Sequence, residues 1–167
     1  MVIMGLDCSS TAIGYSVFGK RGLEAYGVVR PQGKDWRERL VEEGKKLTEL
    51  ILQYRPDKII MEDVPLQTKG GAKTLVILGG VQGFVLGIAS SLGVAIDFIY
   101  PSSWRSTLGL LSGDKEKKKR EALKQKAIEY VNKEFGLNLV WAGENSKKSE
   151  DDIAEAIAIA YSQIKNW

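Results

Sequence analysis

The 167-residue chain has no histidine and a single cysteine, Cys8. Without an imidazole there is no histidine general base and no Ser-His or Cys-His nucleophile pair. A lone cysteine excludes an internal disulfide, and too few soft ligands remain for a zinc site. Any metal must therefore be a hard cation bound by oxygen. We interpret Cys8 as a core side chain, since no cation adjoins it in sequence.

The N-terminal sequence lacks the basic region and cleavage pattern of a secretory signal, so we predict a cytoplasmic protein. The composition is 44% hydrophobic and 27% charged. These values fit one globular domain, which we expect to span residues 1–167. The net charge of +3 permits an anionic partner without requiring one.

Residues 75–96 carry no charge and contain Gly79, Gly83 and Gly87 at steps of four. The stretch is long enough to span a bilayer, but its glycines and polar residues make it weakly hydrophobic. We also expect Gly93 to divide it into a helix and a strand. We therefore predict a buried helix and no membrane contact. Its glycines would permit close packing, either on its own sheet or at a dimer interface.

Hydrophobic periodicity predicts the order of the elements. We expect strands at residues 2–6, 12–18, 23–29, 58–61 and 95–100. We expect further helices at residues 35–54, 114–135 and 149–163, and a loop with a short helical turn at 102–111. Three strands in a meander, followed by alternating helices and strands, predict an α/β fold. Its mixed five-stranded sheet would be flanked by helices on both faces.

Acidic residues stand at the ends of two predicted strands and at the start of the last helix. Asp7 follows the first strand and Glu62 the fourth, and each could instead be a turn former or a solvent-facing acid. In the last helix, Ser149 and Asp152 fit a capping box, and acids there favour the helix dipole. A helical wheel places Asp152 nearer the apolar stripe than Asp151, so we expect Asp152 inward and Asp151 in water.

Together, Asp7, Glu62, Asp152 and Glu155 supply four carboxylates from three elements. Such a set is typical of Mg²⁺ or Mn²⁺ held through oxygen. Two such ions can activate water and stabilise the leaving oxygen of a phosphate ester. Without metal, clustered acids would repel one another and lose solvation. Whether Asp151 replaces Asp152 stays open from the sequence.

Three segments in order resemble the RuvC family of Holliday-junction resolvases, members of the RNase H-like superfamily. They are IMGLDCS at residues 3–9 with TAIGY behind it, IIMEDV at 59–64, and DIAEAIAIA at 152–160. The resemblance covers nearly the whole chain. It implies an RNase H-like nuclease domain acting on four-way or other branched DNA. It also implies a homodimer in which each subunit cuts one of two opposed strands by metal-dependent hydrolysis.

The same resemblance implies that Asp7, Glu62, Asp152 and Glu155 are catalytic metal ligands. They would hold two Mg²⁺ ions, replaceable by Mn²⁺, with no nucleotide cofactor. Glu155 stands where better-known bacterial members have aspartate. Glutamate at this position resembles the viral branch of the family. Pro65 and Leu66 replace an aromatic that often follows the second acid in the family and disturbs base stacking.

A basic run, DKEKKKREALKQK at residues 114–126, precedes the last helix. A solvated helix face would explain it. In the family context we predict a surface that contacts DNA phosphates and positions the junction without reading bases. The family's basic residues near the active site map onto Arg105 and onto Lys118 or Lys119. All predicted DNA-binding residues are Lys69, Lys73, Arg105, Lys115, Lys117, Lys118, Lys119 and Arg120.

Two other functions compete with a nuclease. Residues 7–11, DCSST, also resemble the first phosphate loop of actin-like and sugar-kinase ATPases. Those proteins enclose their nucleotide between two such domains, for which this chain is too short. The other alternative is a non-catalytic DNA-binding relative that keeps the fold.

Overall fold

A computed structural model of the chain describes residues 1–64, 71–113, 119–143 and 146–165. Its five strands are β1 (Ile3–Cys8), β2 (Ile13–Gly19), β3 (Gly22–Val29), β4 (Lys58–Glu62) and β5 (Ala95–Ile99). They form one sheet in the order β3-β2-β1-β4-β5. The first three strands pair antiparallel, and β4 pairs parallel with both β1 and β5. The predicted mixed sheet is confirmed.

Helices cover both faces of this sheet and build a separate apolar core on each. They are α1 (Trp36–Tyr54), α2 (Gly71–Ser91), α3 (Pro101–Thr107), α4 (Arg120–Phe135) and α5 (Asp151–Ile164). Helices α3, α4 and α5 lie on one face, and α1 and α2 on the other. Helix α4 begins at Arg120, later than the predicted residue 114, and residues 114–118 lie outside the described part of the chain.

Helix α5 lies unusually close to the sheet because two strand positions opposite it are glycines. A Cβ at Gly5 would overlap the backbone oxygen of Ala156, and a Cβ at Gly14 would overlap the backbone of Asp152. The Ser16 hydroxyl donates to the same Ala156 oxygen at 2.8 Å. Gly5 faces α5, so Asp7, two residues further along β1, faces it too.

The predicted capping box at the start of α5 is wrong. The N-cap residue is Glu150, and its side chain makes no capping hydrogen bond. The Ser149 hydroxyl instead accepts from the Ala142 N–H at 2.9 Å and donates to the Gly143 oxygen at 2.7 Å. Ser149 is 1% exposed, so it holds the preceding segment in place rather than the helix end.

Helix α2 is not the buried helix that the sequence predicts. Only Val81, Val85 and Ala89 are buried. Gly79, Gly83 and Gly87 each precede one of these buried residues by two positions, which places them about 200° away around the helix. A Cβ on any of the three glycines would meet open space. Of the two alternatives for these glycines, packing on the chain's own sheet is therefore excluded. Among the described residues, α2 alone is long and apolar enough to cross a membrane, a criterion that many core helices also meet.

Candidate active site

The parallel pairing of β1 with β4 brings two of the predicted acids to the same edge of the sheet. Leu6 pairs with Met61, so the residues that follow them, Asp7 and Glu62, lie side by side near the ends of β1 and β4. The first turns of α5, which packs on this face of the sheet, contribute Asp152 and Glu155. The structure thus brings together the four acids that the sequence predicts, from three separate elements.

The charges of these four acids act on one another. Burial raises the pKa of Asp7 well above its ordinary value, and the carboxylates of Glu155, Glu62 and Asp152 raise it further. Only Lys124 works in the opposite direction. Repulsion of this kind requires the acids to be close together in a poorly hydrated place.

Glu62 shows the same environment. Burial and the neighbouring Glu155 raise the pKa of Glu62 to about 7, against the lowering effect of Arg105 and of a hydrogen bond from Trp104. That bond runs from the Trp104 indole Nε1 to Glu62 Oε1 at 2.7 Å, and Trp104 is fully buried. A rigid aromatic side chain therefore fixes the direction of this carboxylate.

Three cations compensate for the acids. Arg105 Nη2 lies 2.5 Å from Glu155 Oε1 and 3.8 Å from Glu62 Oε1. Arg30 lies 3.4 Å from Asp152 in a more exposed pair. The Lys124 ammonium donates to Asp151, and both side chains are nearly buried. Glu62, Glu155, Asp151 and Asp152 thus each have a cation within 4 Å, which offsets part of the cost of their burial.

Sequence reasoning missed Lys124. It occupies the same stripe of α4 as the buried residues Ala127, Ile128 and Val131, at spacings of three, four and seven. A charged residue in an apolar stripe was the signal that could have found it. Burial works to lower the pKa of Lys124, but the carboxylates of Glu155 and Asp151 outweigh it and raise that pKa.

The predicted orientation of the adjacent acids in α5 is also wrong. The side chain of Asp151 is only 7% exposed, because it pairs with Lys124, whereas that of Asp152 is 23% exposed. Burial, followed by the charge of Asp151, raises the pKa of Asp152. Asp152 and not Asp151 is nevertheless among the acids that raise the pKa of Asp7. The more exposed of the two acids is therefore the one whose charge acts on Asp7.

The donor set fits a hard divalent cation, since it consists of carboxylate oxygens held at low hydration. As the side chains stand, no three acidic, thiol or imidazole groups in the described ranges form a ready metal-binding cluster. In the same conformation Arg105 and Arg30 pair with three of the four carboxylates. A metal would have to replace some of this positive charge.

The predicted DNA-binding residues divide into three groups. Lys73 on the first turn of α2, and Lys119 and Arg120 at the start of α4, are exposed. Arg105 lies inside the acidic cluster, with a side chain only 14% exposed. Outside the described residues are Lys69, Lys115, Lys117 and Lys118, together with Pro65 and Leu66. Cys8 packs against the core of the α1/α2 face, where burial raises the pKa of its thiol.

Comparison with known proteins connects this geometry to one family. The family described as Crossover junction endodeoxyribonuclease RuvC matches residues 3–163. A protein of that description from Citrifermentans bemidjiense is 31% identical over 101 residues, which are 58% of this chain and 60% of the relative. The chain thus spans less than two thirds of the length of that relative. A protein of the same description from Syntrophomonas wolfei is 22% identical over 100% of this chain and 90% of its own length.

Solved structures establish the fold. The RuvC of Thermus thermophilus, solved in complex with a Holliday junction substrate, superposes with a TM-score of 0.70 at 20% identity. The match covers 97% of this chain and 92% of that one. The fowlpox virus resolvase, in complex with Holliday junction DNA, gives a TM-score of 0.60 at 14% identity over 99% and 98% of the two chains. The sheet and its helices are therefore of the RNase H-like type.

Proposed function

The chain belongs to the RuvC family of crossover junction endodeoxyribonucleases, and we propose that it resolves four-way or other branched DNA junctions by Mg²⁺-dependent phosphodiester hydrolysis. The observation that carries this proposal is the group of four acids at the carboxyl edge of the sheet. Burial, followed by the charges of Glu155, Glu62 and Asp152, raises the pKa of Asp7 well above its ordinary value. Such a group suits a site that receives positive charge.

In this proposal Asp7, Glu62, Asp152 and Glu155 are the catalytic metal ligands, for two Mg²⁺ ions or for Mn²⁺ in their place. When bound, these ions make a water molecule a better nucleophile and stabilise the leaving oxygen. The chain itself contributes orientation, because Trp104 fixes Glu62 by its indole hydrogen bond. Lys124, anchored by Asp151, adds a fixed positive charge that favours the ionised form of Asp7.

We infer that DNA reaches this site over a basic surface at the start of α4. Lys124 acts on the acids from within that helix, and Lys119 and Arg120 lie one turn or more before it. The basic residues Lys115, Lys117 and Lys118 immediately precede them in the chain, and Lys69 and Lys73 precede or begin α2. Phosphate contacts by these residues would hold the junction without selecting a sequence.

We also infer a homodimer that pairs the exposed sides of α2. Gly79, Gly83 and Gly87 line this side with open space beside them, and Val76 and Leu86 extend it with 67% and 43% exposure. Small residues let two helices approach closely, and a two-fold axis would present two active sites to one junction. Residues 1–167 would form one nuclease domain per subunit, acting on cytoplasmic DNA without membrane contact or nucleotide cofactor.

The test is cleavage of a synthetic four-way junction with each strand labelled in turn. With Mg²⁺ or Mn²⁺ we expect nicks in two opposed strands, and none with EDTA or with Asp7→Asn. Failure of the pure protein to cut in either metal would refute the nuclease function. Intact biological activity of Asp7→Asn would favour a non-catalytic DNA-binding role. Flaps, forks and linear duplex, tested beside the junction, measure how strictly a four-way substrate is required.

For the basic surface, the test is the salt dependence of junction binding. Charge reversal at Lys117 to Lys119 should weaken binding and flatten the plot of log affinity against log salt, because fewer counterions are released. An unchanged slope would assign this segment to a solvated helix face.

A further inference from the structure

Arg105 bridges two acids that come from different elements. Its Nη2 atom contacts Glu155 of α5 at 2.5 Å and approaches Glu62 of β4 at 3.8 Å. Its side chain is 14% exposed, and that of Glu155 only 6%. The guanidinium therefore stands between two carboxylates in the place that the proposed function gives to a metal ion.

The bridging conformation of Arg105 is only partly satisfied. Its guanidinium carbon lies 4.3 Å from the centre of the Trp104 ring, which supports it by stacking. Its Nε atom, however, is buried with no hydrogen-bond partner in the described part of the chain. A buried donor without an acceptor costs free energy. The two acids and the Trp104 ring therefore stabilise this conformation against the cost of the unpaired Nε, and the balance shifts toward release of the side chain once the acids are neutralised.

We propose that Arg105 is a resident counter-ion that competes with the metal for Glu62 and Glu155, and that metal binding releases its guanidinium toward the DNA. This inference rests on the proposed function. A divalent ion on these carboxylates replaces the neutralising charge and repels the guanidinium at close range. The released side chain presents a planar fork of donors that matches a phosphate group. Metal binding and phosphate binding are thereby coupled through one side chain.

The other two cations do not share this arrangement. Lys124 has an acid of its own, Asp151, so a metal can enter without displacing it. Arg30 pairs with Asp152 across 3.4 Å and is 36% exposed, so water already competes for it. Arg105 alone among the three bridges two of the proposed ligands, which makes Arg30 a matched control.

The experiment is calorimetric titration of Mn²⁺ into the DNA-free protein. Arg105→Gln should bind the metal about tenfold more tightly than wild type, a typical size for coupling between two ligands of one site. The same variant should have a lower Tm in EDTA, where its acids lack a counter-ion, and should recover most of the difference at saturating Mn²⁺. Arg105→Lys, which keeps the charge, should stay near wild type in both measurements. Arg30→Gln, which removes a more exposed charge from one acid only, should change both measurements less than Arg105→Gln does.

A second measurement leaves Arg105 intact and does not depend on the variant folding. In protein labelled with fluorotryptophan, the Trp104 resonance is identified by its loss in Trp104→Phe. Mg²⁺ replaces Mn²⁺ in this experiment because it is diamagnetic. Its addition should shift the Trp104 resonance as the guanidinium leaves the ring. An unshifted resonance at saturating Mg²⁺ would overturn the exchange.

The two proposals fail in different ways. Equal metal affinity of wild type and Arg105→Gln would refute the competition, while junction cleavage by the wild type would leave the nuclease function standing. If the wild type neither binds metal nor cuts, the proposed function fails, and the exchange at Arg105 fails with it.

Discussion

The two faces of the sheet treat buried charge in opposite ways. On the α5 face, acids such as Asp151 and Glu155 lie beside Lys124 and Arg105. On the α1/α2 face, Glu43 is 1% exposed, and neither of its carboxylate oxygens has a hydrogen-bond partner among the described residues. On the α5 face cations offset the charge of the buried acids, whereas a buried acid without a partner lowers stability.

The burial of α5 and α2, one helix from each face, is the opposite of what their sequences suggest. Helix α5 begins with acids and yet is buried on nearly every side. Helix α2 is apolar and yet leaves a long side of small and aliphatic residues in solvent. Grouped buried charges are typical of binding sites, and exposed apolar surfaces are typical of interfaces with a partner.

The adjacent acids of α5 should differ sharply in activity. Asp152→Asn should slow junction cleavage by more than about 100-fold, because loss of a ligand should exceed the 10–100-fold effect of outer-shell partners. Asp151→Asn, which keeps an acceptor for Lys124, should slow it by less than about tenfold, the lower end of that outer-shell range. It should instead lower Tm, since Lys124 loses its charged partner.

Single-turnover cleavage and thermal unfolding, measured on both variants, separate these outcomes. An equal loss of activity in Asp151→Asn would make Asp151 the ligand. It would also weaken the view that the pair with Lys124 is a support for the site.

The sequence predicts the acids of this site better than their partners. Asp7 and Glu62 end apolar runs, and runs of this kind become parallel neighbours whose ends meet at one edge. The ion pairs depend instead on which helices pack together. Lys124 and Asp151 are 27 residues apart, and only the packing of α4 on α5 joins them. Local periodicity contains no information about such a contact.

In the fold, too, features set by local sequence are predictable, whereas those set by packing between distant segments are not. Apolar runs and turns predict all five strands to within a few residues, because pleated, half-buried segments have a strong local pattern. The orientation of α2 was not predictable in this way. Apolar residues occur all around this helix, so periodicity does not tell which side meets the sheet. The capping function expected of Ser149 failed for a related reason, since its hydroxyl serves the distant Ala142 and Gly143.

Glu43 should make stability fall as pH rises. Burial raises its pKa from 4.5 to about 7, with Arg39 opposing. Between these values the folded state keeps a proton that the unfolded state has lost, so unfolding becomes easier with rising pH. The loss is on the order of 3 kcal/mol between pH 4 and pH 8, and Glu43→Gln should lack it.

Denaturant unfolding of both proteins across this pH range measures the effect. Glu49→Gln, on the exposed side of α1, is the control and should follow the wild type. Parallel stability curves for wild type and Glu43→Gln would mean that Glu43 is ionised without cost, and the two faces of the sheet would then be alike in their treatment of acids.

Gly5→Ala should destabilise the protein by about 2 kcal/mol, within the usual range for overpacking. The added methyl group would meet Ala160 Cβ at 2.8 Å as well as the backbone of α5. Either α5 moves outward or β1 bends, and both displace acids, so cleavage should fall as well. Wild-type stability and activity in this variant would show that α5 does not depend on its close approach to the sheet.

Gly83→Ala, the matching change on the other face, should have the smallest effect and the opposite sign. Its methyl group enters open space, and replacing a helical glycine by alanine favours the helix by about 1 kcal/mol. At concentrations where the protein is monomeric, Tm should therefore rise. If the glycines of α2 form the dimer interface, the same methyl group separates the two helices, and sedimentation equilibrium should show weaker association. A rise in Tm with unchanged association would keep α2 as an exposed helix and move the dimer interface elsewhere.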